Sequence, residues 1–169
     1  KVSGNKLVSL RDGDGPLQEG EKYLLFRQEL AEPSPWFNGQ APSDNLNPES
    51  VRAFIASTYE AYLQQVGEDF GTTVPGIFTD EPNICGVSAV KFNRRFVPWT
   101  AGFAEYFRQR RGYDFLSVAP YLFLDGQASA KTRHDFWYTI TERFVSAYSR
   151  QLGEWCQAHG IAFTGHYLC

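Results

Sequence analysis

The spacing of apolar residues predicts three helices, each with one buried face. They cover residues 48–66, 101–111 and 132–159. Asn47 is a favourable N-cap for the first helix, and Pro48 suits its first position. Thr100 is the expected cap of the second helix, and Gly160 should end the third.

Four short apolar runs predict strands. They lie at residues 6–10, 22–30, 74–80 and 161–167. The first two should form a hairpin, and the last two have the continuous apolar character of strands that are buried on both faces in parallel sheets. Long segments follow the predicted strands at 31–47 and 82–99, whereas the helix-to-strand connections are short. This asymmetry is typical of a barrel or open α/β sheet with its site at the carboxyl ends of the strands.

The length of the chain limits which α/β fold it can form. A complete eight-stranded α/β barrel needs about 250 residues, and the chain has 169 and no Met. We therefore expect a partial (β/α)8, TIM-like barrel from a larger protein. Residues 1–21 should be an N-terminal strand and turn segment, and residues 22–169 the partial barrel, which is expected to be catalytic.

Composition restricts the partners of the chain. The net charge is −3 with both signs interspersed, which argues against nucleic acid and a membrane surface as partners. Aromatic residues make up 16% of the chain, and Trp and Tyr beside polar loops can stack on sugar rings. Three widely spaced cysteines do not form a disulfide framework or zinc motif and are expected to be buried or incidental thiols. The cellular compartment of the chain is left open.

Two adjacent carboxylates, Asp80 and Glu81, end the apolar run that begins at Val74. Cleavage of a glycosidic bond needs a protonated carboxylic acid and a second carboxylate. Glu81 is the candidate acid, because a neighbouring like charge and partial burial would both raise its pKa. Asp80 would orient a sugar hydroxyl, bind a cation or cap the loop. Alternatively, both acids form a solvated turn with Pro82.

Several other residues are candidates for contacts with a substrate. Trp36 and Asn38 would form a sugar-stacking platform in the first long loop, unless Trp36 folds back over the first helix. Trp99 would likewise stack on a sugar or pack against the protein. Asn83 would bind a substrate hydroxyl or form a turn. His166 ends the last predicted strand, where it would line the site or be an ordinary residue of its rim. Asp44 precedes the first helix and is explained most simply by loop and helix-dipole chemistry.

Six segments together resemble the catalytic barrel of bacterial glycoside hydrolases, especially the α-L-rhamnosidase-like proteins of family 106 and their unclassified relatives. They are WFNG at 36–39, DNLNPE at 44–49, GIFTDEP at 76–82, YFRQRRGYD at 106–114, WCQAHG at 155–160 and TGHY at 164–167. The resemblance covers residues 23–169 and implies an α/β barrel with Glu81 as one catalytic carboxylate and His166 in the same pocket. It also implies inversion of configuration and a Ca²⁺ ion near the sugar, whose ligands it does not assign here.

The sequence departs from this family in one respect: no second catalytic carboxylate follows TGHY. The expected partners are therefore an oligosaccharide or glycoside substrate and the rest of the parent chain. Three alternatives to a glycosidase remain at this point. They are a non-catalytic carbohydrate-binding module, a metal-dependent hydrolase with Asp80, Glu81 and His166 as ligands, and an inactive barrel fragment.

Overall fold

Contacts within the chain divide it into two units. The computed structural model describes residues 2–3, 6–7, 16, 19–22, 24–84 and 96–167. The first unit contains the described residues of 1–30, 93–96 and 102–139, and the second contains those of 31–92, 97–101 and 140–169. The predicted boundary between residues 21 and 22 stays a prediction.

The first predicted helix is confirmed, with one irregular turn. It consists of α1 (Pro48–Phe54), a π-helical turn (Ile55–Tyr59) and α2 (Glu60–Val66). The side chain of Asn47 accepts a hydrogen bond of 3.0 Å from the backbone N–H of Glu49. Asn47 is therefore the N-cap, as predicted, and satisfies one of the otherwise unpaired N–H groups of the first turn.

The other helices are also present, with different beginnings. They are α3 (Phe103–Arg111) and a long helix made of α4 (Ser129–Phe144), a π-helical turn (Val145–Ser149) and α5 (Arg150–Ala158). The expected cap at Thr100 is wrong, because α3 begins after Gly102, which has a left-handed backbone with φ +74°. In the described part of the chain, no helix combines the length and apolar character that crossing a membrane requires.

The two π-helical turns follow from a four-residue recurrence of core positions. These positions are Val51, Ile55 and Tyr59 in one helix and Phe144, Tyr148, Leu152 and Cys156 in the other. Four residues advance an α-helix by about 400°, roughly 40° beyond a full turn, so such a row drifts around a regular helix. A π-helical turn contains one extra residue and offsets the drift. Both rows therefore contribute to one core cluster.

Burial in this cluster also affects a thiol. Cys156 is fully buried there, which confirms the expectation for this cysteine, and its pKa is raised by the loss of solvation. The other two cysteines, Cys85 and Cys169, lie outside the described residues.

Two strands of the second unit pair in parallel, as the sequence predicts. β4 (Gly76–Asp80) and β5 (Ala162–His166) pair from Gly76 opposite Ala162 to Asp80 opposite His166. Ile77 and Phe163 pack against the core cluster on one face of the pair. Phe78, on the other face, is 55% exposed. The prediction that β4 is buried on both faces is therefore wrong.

The N-terminal residues form a small antiparallel sheet instead of the predicted hairpin. Its strands are β1 (Val2–Ser3), β2 (Lys6–Leu7) and β3 (Glu21–Lys22), in the order β2-β1-β3. β1 lies between the two predicted hairpin partners and pairs with both. Residues 24–30 do not continue β3 as a strand, and residues 8–10 lie outside the description.

The predicted partial (β/α)8 barrel is contradicted. Among the described residues, the only parallel strands are β4 and β5. A barrel requires a row of tilted strands in which each one pairs on both sides, and residues 24–30, which were expected to supply one of them, are not paired. Part of the predicted loop at 82–99, residues 85–95, lies outside the description.

The first unit contains an aromatic cluster beside a buried carboxylate. The rings are those of Phe103, Phe107, Phe115 and Phe136, with centroid separations between 5.2 and 6.3 Å. The carboxylate of Asp135 accepts hydrogen bonds from Tyr113 (2.7 Å) and Lys131, and lies 3.2 Å from Nδ1 of His134. Desolvation alone would raise the pKa of Asp135, but these partners outweigh it and lower the pKa to about 2.

Substitution of Asp135 by Asn should destabilise the protein near neutral pH. The folded-state pKa of about 2 lies below the ordinary value of 3.8, so the carboxylate stabilises the fold above pH 3.8 and loses this effect as the pH falls through 2. The expected loss at pH 7 is about 2 kcal/mol. Urea unfolding of both proteins from pH 7 to 2 measures it, with Asp125→Asn as an exposed control. If the free energies of unfolding of the original protein and Asp135→Asn differ by the same amount from pH 7 to 2, the prediction is wrong.

A second prediction concerns Gly165, where β5 leaves no room for a side chain beside β4. A Cβ atom at Gly165 would lie 2.0 Å from the carbonyl oxygen of Thr79, whereas one at Gly153 would meet Phe163 at an ordinary 3.8 Å. Gly165→Ala should therefore separate the strands and destabilise the protein by about 3 kcal/mol or more. The matched control Gly153→Ala should be neutral or stabilising, because Ala favours the helix. Equal denaturation midpoints for the two variants would refute this explanation.

Candidate functional site

Thr79 is held on the helix-covered face of β4. Its Oγ1 lies 2.7 Å from the hydroxyl of Tyr148, which is buried within the second π-helical turn. Burial raises the pKa of Tyr148, and the hydrogen bond to Thr79 acts in the opposite direction. This bond fixes the strand one residue before the two acids. Sequence reasoning missed the contact of Tyr148 with the end of the strand.

Asp80 and His166 lie together on the exposed face of the strand pair. They occupy opposite positions in the register, and Oδ1 of Asp80 is 3.5 Å from Nδ1 of His166. The ring of Phe78 meets the imidazole edge-on, at 5.0 Å between centroids. The side chains of Asp80 and His166 are 74% and 71% exposed, so solvent screens any electrostatic interaction between them. Strand register, more than charge, keeps them adjacent.

Glu81 has an unusual backbone conformation at the end of β4. Its backbone N–H donates to the carbonyl oxygen of His166 at 3.1 Å, which extends the strand ladder by one bond. Its φ is +47°, in the left-handed region that disfavours residues with a Cβ atom, and Pro82 restricts it further. The side chain is exposed, so the partial burial expected from the sequence is not found.

Hydrogen bonds connect the loop after β4 to the segment before α1. The side-chain amide of Asn45 donates to the backbone carbonyl of Asn83 at 2.8 Å. Asp44 accepts from the backbone N–H of Leu46 at 3.0 Å and from the hydroxyl of Thr100 at 2.6 Å. Asp44 is therefore a loop anchor, as its position suggested. Whether the side chain of Asn83 binds substrate stays a prediction.

The two candidate tryptophans have different environments. Trp36 lies in a short 3-10 helix (Pro35–Phe37) and is 88% exposed, so it does not fold back over α1. Asn38 follows it and is also exposed. Trp99 is half-buried between the buried residues Pro98 and Thr100. Trp36 and Asn38 lie on a different loop from Glu81, and the roles of all three residues in binding stay predictions.

The arrangement does not form a metal site within the described residues. In the part of the chain that the structure covers, no group of three or more His, Cys, Asp or Glu side chains is placed to hold a metal ion. Asp80, Glu81 and His166 therefore do not fit the ligand set of a metal-dependent hydrolase. In the same described part of the chain, no such group of side chains is placed to hold the Ca²⁺ ion implied by the family resemblance either.

The chain matches no protein-family model and no curated protein. A function for this chain is therefore inferred from the residues at the ends of β4 and β5. Three of the predicted residues, Asp80, Glu81 and His166, meet there.

Replacement of Glu81 by Gly should stabilise the protein. Glycine adopts a positive φ without steric penalty, so Glu81→Gly should raise the free energy of unfolding by about 1 kcal/mol. Glu81→Gln keeps the Cβ atom and the length of the side chain, so its stability should equal that of the original protein. Chemical denaturation of all three proteins measures the difference. Equal stability of the Gly and Gln variants would show that no strain exists at this position.

Proposed function

We propose that this chain contributes an acid/base carboxylate, Glu81, to a glycoside hydrolase. The supporting observation is the left-handed backbone of Glu81 at the carboxyl end of β4. A glycine would relieve the unfavourable conformation, so the presence of Glu indicates that its side chain is required. Strained residues of this kind cluster at active sites and ligand clamps.

The chemistry of glycoside cleavage suits the residues around Glu81. Glu81 protonates the oxygen of the leaving group as the glycosidic bond breaks, and the developing positive charge is carried by the sugar ring. Asp80 accepts a hydrogen bond from a sugar hydroxyl, and His166 donates or accepts another. The exposed face of β4 and β5 leaves these three side chains accessible to a substrate.

A second carboxylate completes the reaction. One carboxyl group cannot both protonate the leaving group and activate the nucleophile, so the reaction needs a partner carboxylate for Glu81. A separation of about 5 Å from Glu81 would give retention of configuration, and about 6.5 to 9.5 Å would give inversion. This distance in the intact protein therefore determines the stereochemical class.

A second candidate function is a carbohydrate-binding module without catalysis. The 88% exposure of Trp36 favours it, because an exposed indole can stack on a sugar without any catalytic group. In this case Asp80 and Glu81 would only bind hydroxyl groups.

Turnover of glycosides by the full-length parent protein tests the catalytic role. Glu81→Gln keeps the size of the side chain and removes the proton donor, so kcat should fall by about 10² to 10⁴, the range for loss of general acid catalysis. Glu154→Gln, which changes an exposed acid on α5, is the matched control and should keep full activity. A panel of chromogenic glycosides identifies the substrate and measures the rates.

The outcomes separate the two candidate functions. Binding with no turnover by the unmodified parent protein would support the carbohydrate-binding module. Turnover that is unchanged in Glu81→Gln would exclude Glu81 as the acid.

A further inference from the structure

Residues 34–40 form a closed loop held by its own backbone. The N–H of Ser34 donates to the carbonyl oxygen of Gln40 at 3.1 Å, and the N–H of Gly39 donates to that of Ser34 at 2.9 Å. Three further bonds, from Phe37 to Ser34, from Asn38 to Pro35 and from Gln40 to Phe37, measure 2.9 to 3.1 Å. The ends of the loop also form an isolated antiparallel bridge. The loop therefore has a defined conformation within its own seven residues.

The residues of the loop suit the conformation that they adopt. Pro35 opens the 3-10 helix, where a fixed φ is favourable. Asn38 and Gly39 follow with φ values of +55° and +76°, and these two residue types tolerate the left-handed region best. The backbone conformation is thus encoded locally and does not depend on burial of a side chain.

Trp36 projects from this loop into solvent. Its side chain is 88% exposed, and every bond that closes the loop is made by backbone groups. Exposure of a large aromatic ring is unfavourable, yet the loop carries the indole on a backbone of defined conformation. A backbone that is already ordered lowers the conformational entropy that is lost when a ligand binds.

The charge of the segment indicates a neutral ligand. Between Arg27 and Arg52 the sequence contains no Lys or Arg, and it contains the acidic residues Glu29, Glu32, Asp44 and Glu49. Phosphate groups and acidic sugars need cationic partners, which this segment lacks. The exposed amide of Asn38 can both donate and accept hydrogen bonds, as hydroxyl groups require.

We propose that the loop at residues 34–40 is a contact site for a neutral oligosaccharide. The indole of Trp36 stacks on the apolar face of a pyranose ring, and the amide of Asn38 binds a ring hydroxyl. The site takes its class of ligand from the proposed function but does not require Glu81 to be catalytic. Its binding can therefore be measured without turnover.

Indole resonances of the ¹⁵N-labelled chain report this binding directly. The chain has four Trp residues, and the Nε1–H signal of Trp36 is assigned by its loss in Trp36→Ala. The chain is titrated with neutral hexasaccharides of glucose, mannose, xylose, galactose and rhamnose. We expect at least one of them to shift the Trp36 signal. The Trp36→Ala variant has no Trp36 signal, so its affinity is measured from the shifts of backbone amide signals. We expect this affinity to be at least tenfold weaker, and we expect Trp36→Tyr to bind with an intermediate affinity.

Two further variants test the details of the contact. Asn38→Gly keeps the positive φ and removes the amide, so it should weaken binding about threefold to tenfold. Trp137→Ala removes another exposed indole, on α4, and should leave the affinity unchanged. A titration in which no sugar shifts the Trp36 signal, or in which Trp36→Ala keeps the original affinity, would overturn the proposal.

The Glu81→Gln variant separates this inference from the proposed function. The same sugar should still shift the Trp36 indole signal in this variant. Binding at Trp36 without turnover of any glycoside by the parent protein would reject the catalytic function and support the contact site. Turnover that depends on Glu81, without binding at Trp36, would support the catalytic function and reject the contact site.

Discussion

The close parallel pairing of β4 and β5 is the constraint on which the candidate site depends. Gly165 permits it, because any side chain there would enter the carbonyl group of Thr79. The pairing places Asp80 opposite His166, and its last hydrogen bond holds Glu81. A slip of one residue would turn Asp80 towards the helices and Thr79 towards solvent, since neighbouring side chains in a strand point to opposite faces. The cluster of three polar residues is thus a consequence of register.

The helices fix this register from one side only. Their π-helical turns keep two rows of core residues on a common cluster, and Tyr148 reaches Thr79 from the second turn. Buried contacts and a hydrogen bond therefore hold the covered face of the strands. On the open face, Phe78 and Asp80 each contact His166, and all three residues are exposed, so this face is accessible for binding within the described part of the chain.

Local features of the fold and the parallel pair of β4 and β5 could be predicted from the sequence, but the wider sheet of a barrel could not. Asn47 and Pro48 marked the start of α1 because capping depends on neighbouring residues. The four-residue recurrence in the long helices is readable in the sequence and could have revealed the π-helical turns. Residues 24–30 have the composition of a strand without the pairing, since pairing depends on distant partners. The positive φ of Glu81 was also unpredictable, because that region normally favours Gly or Asn.

The exposure of Glu81 bears on how the proposed chemistry would work. A general acid must carry a proton at the working pH, and desolvation is the main means by which proteins keep a carboxyl group protonated. The chain leaves Glu81 exposed beside Asp80 and His166, which are themselves largely exposed. A general acid at this position therefore requires that the bound sugar itself excludes water from Glu81. The strands then supply the positions of the reacting groups, and the ligand completes their environment.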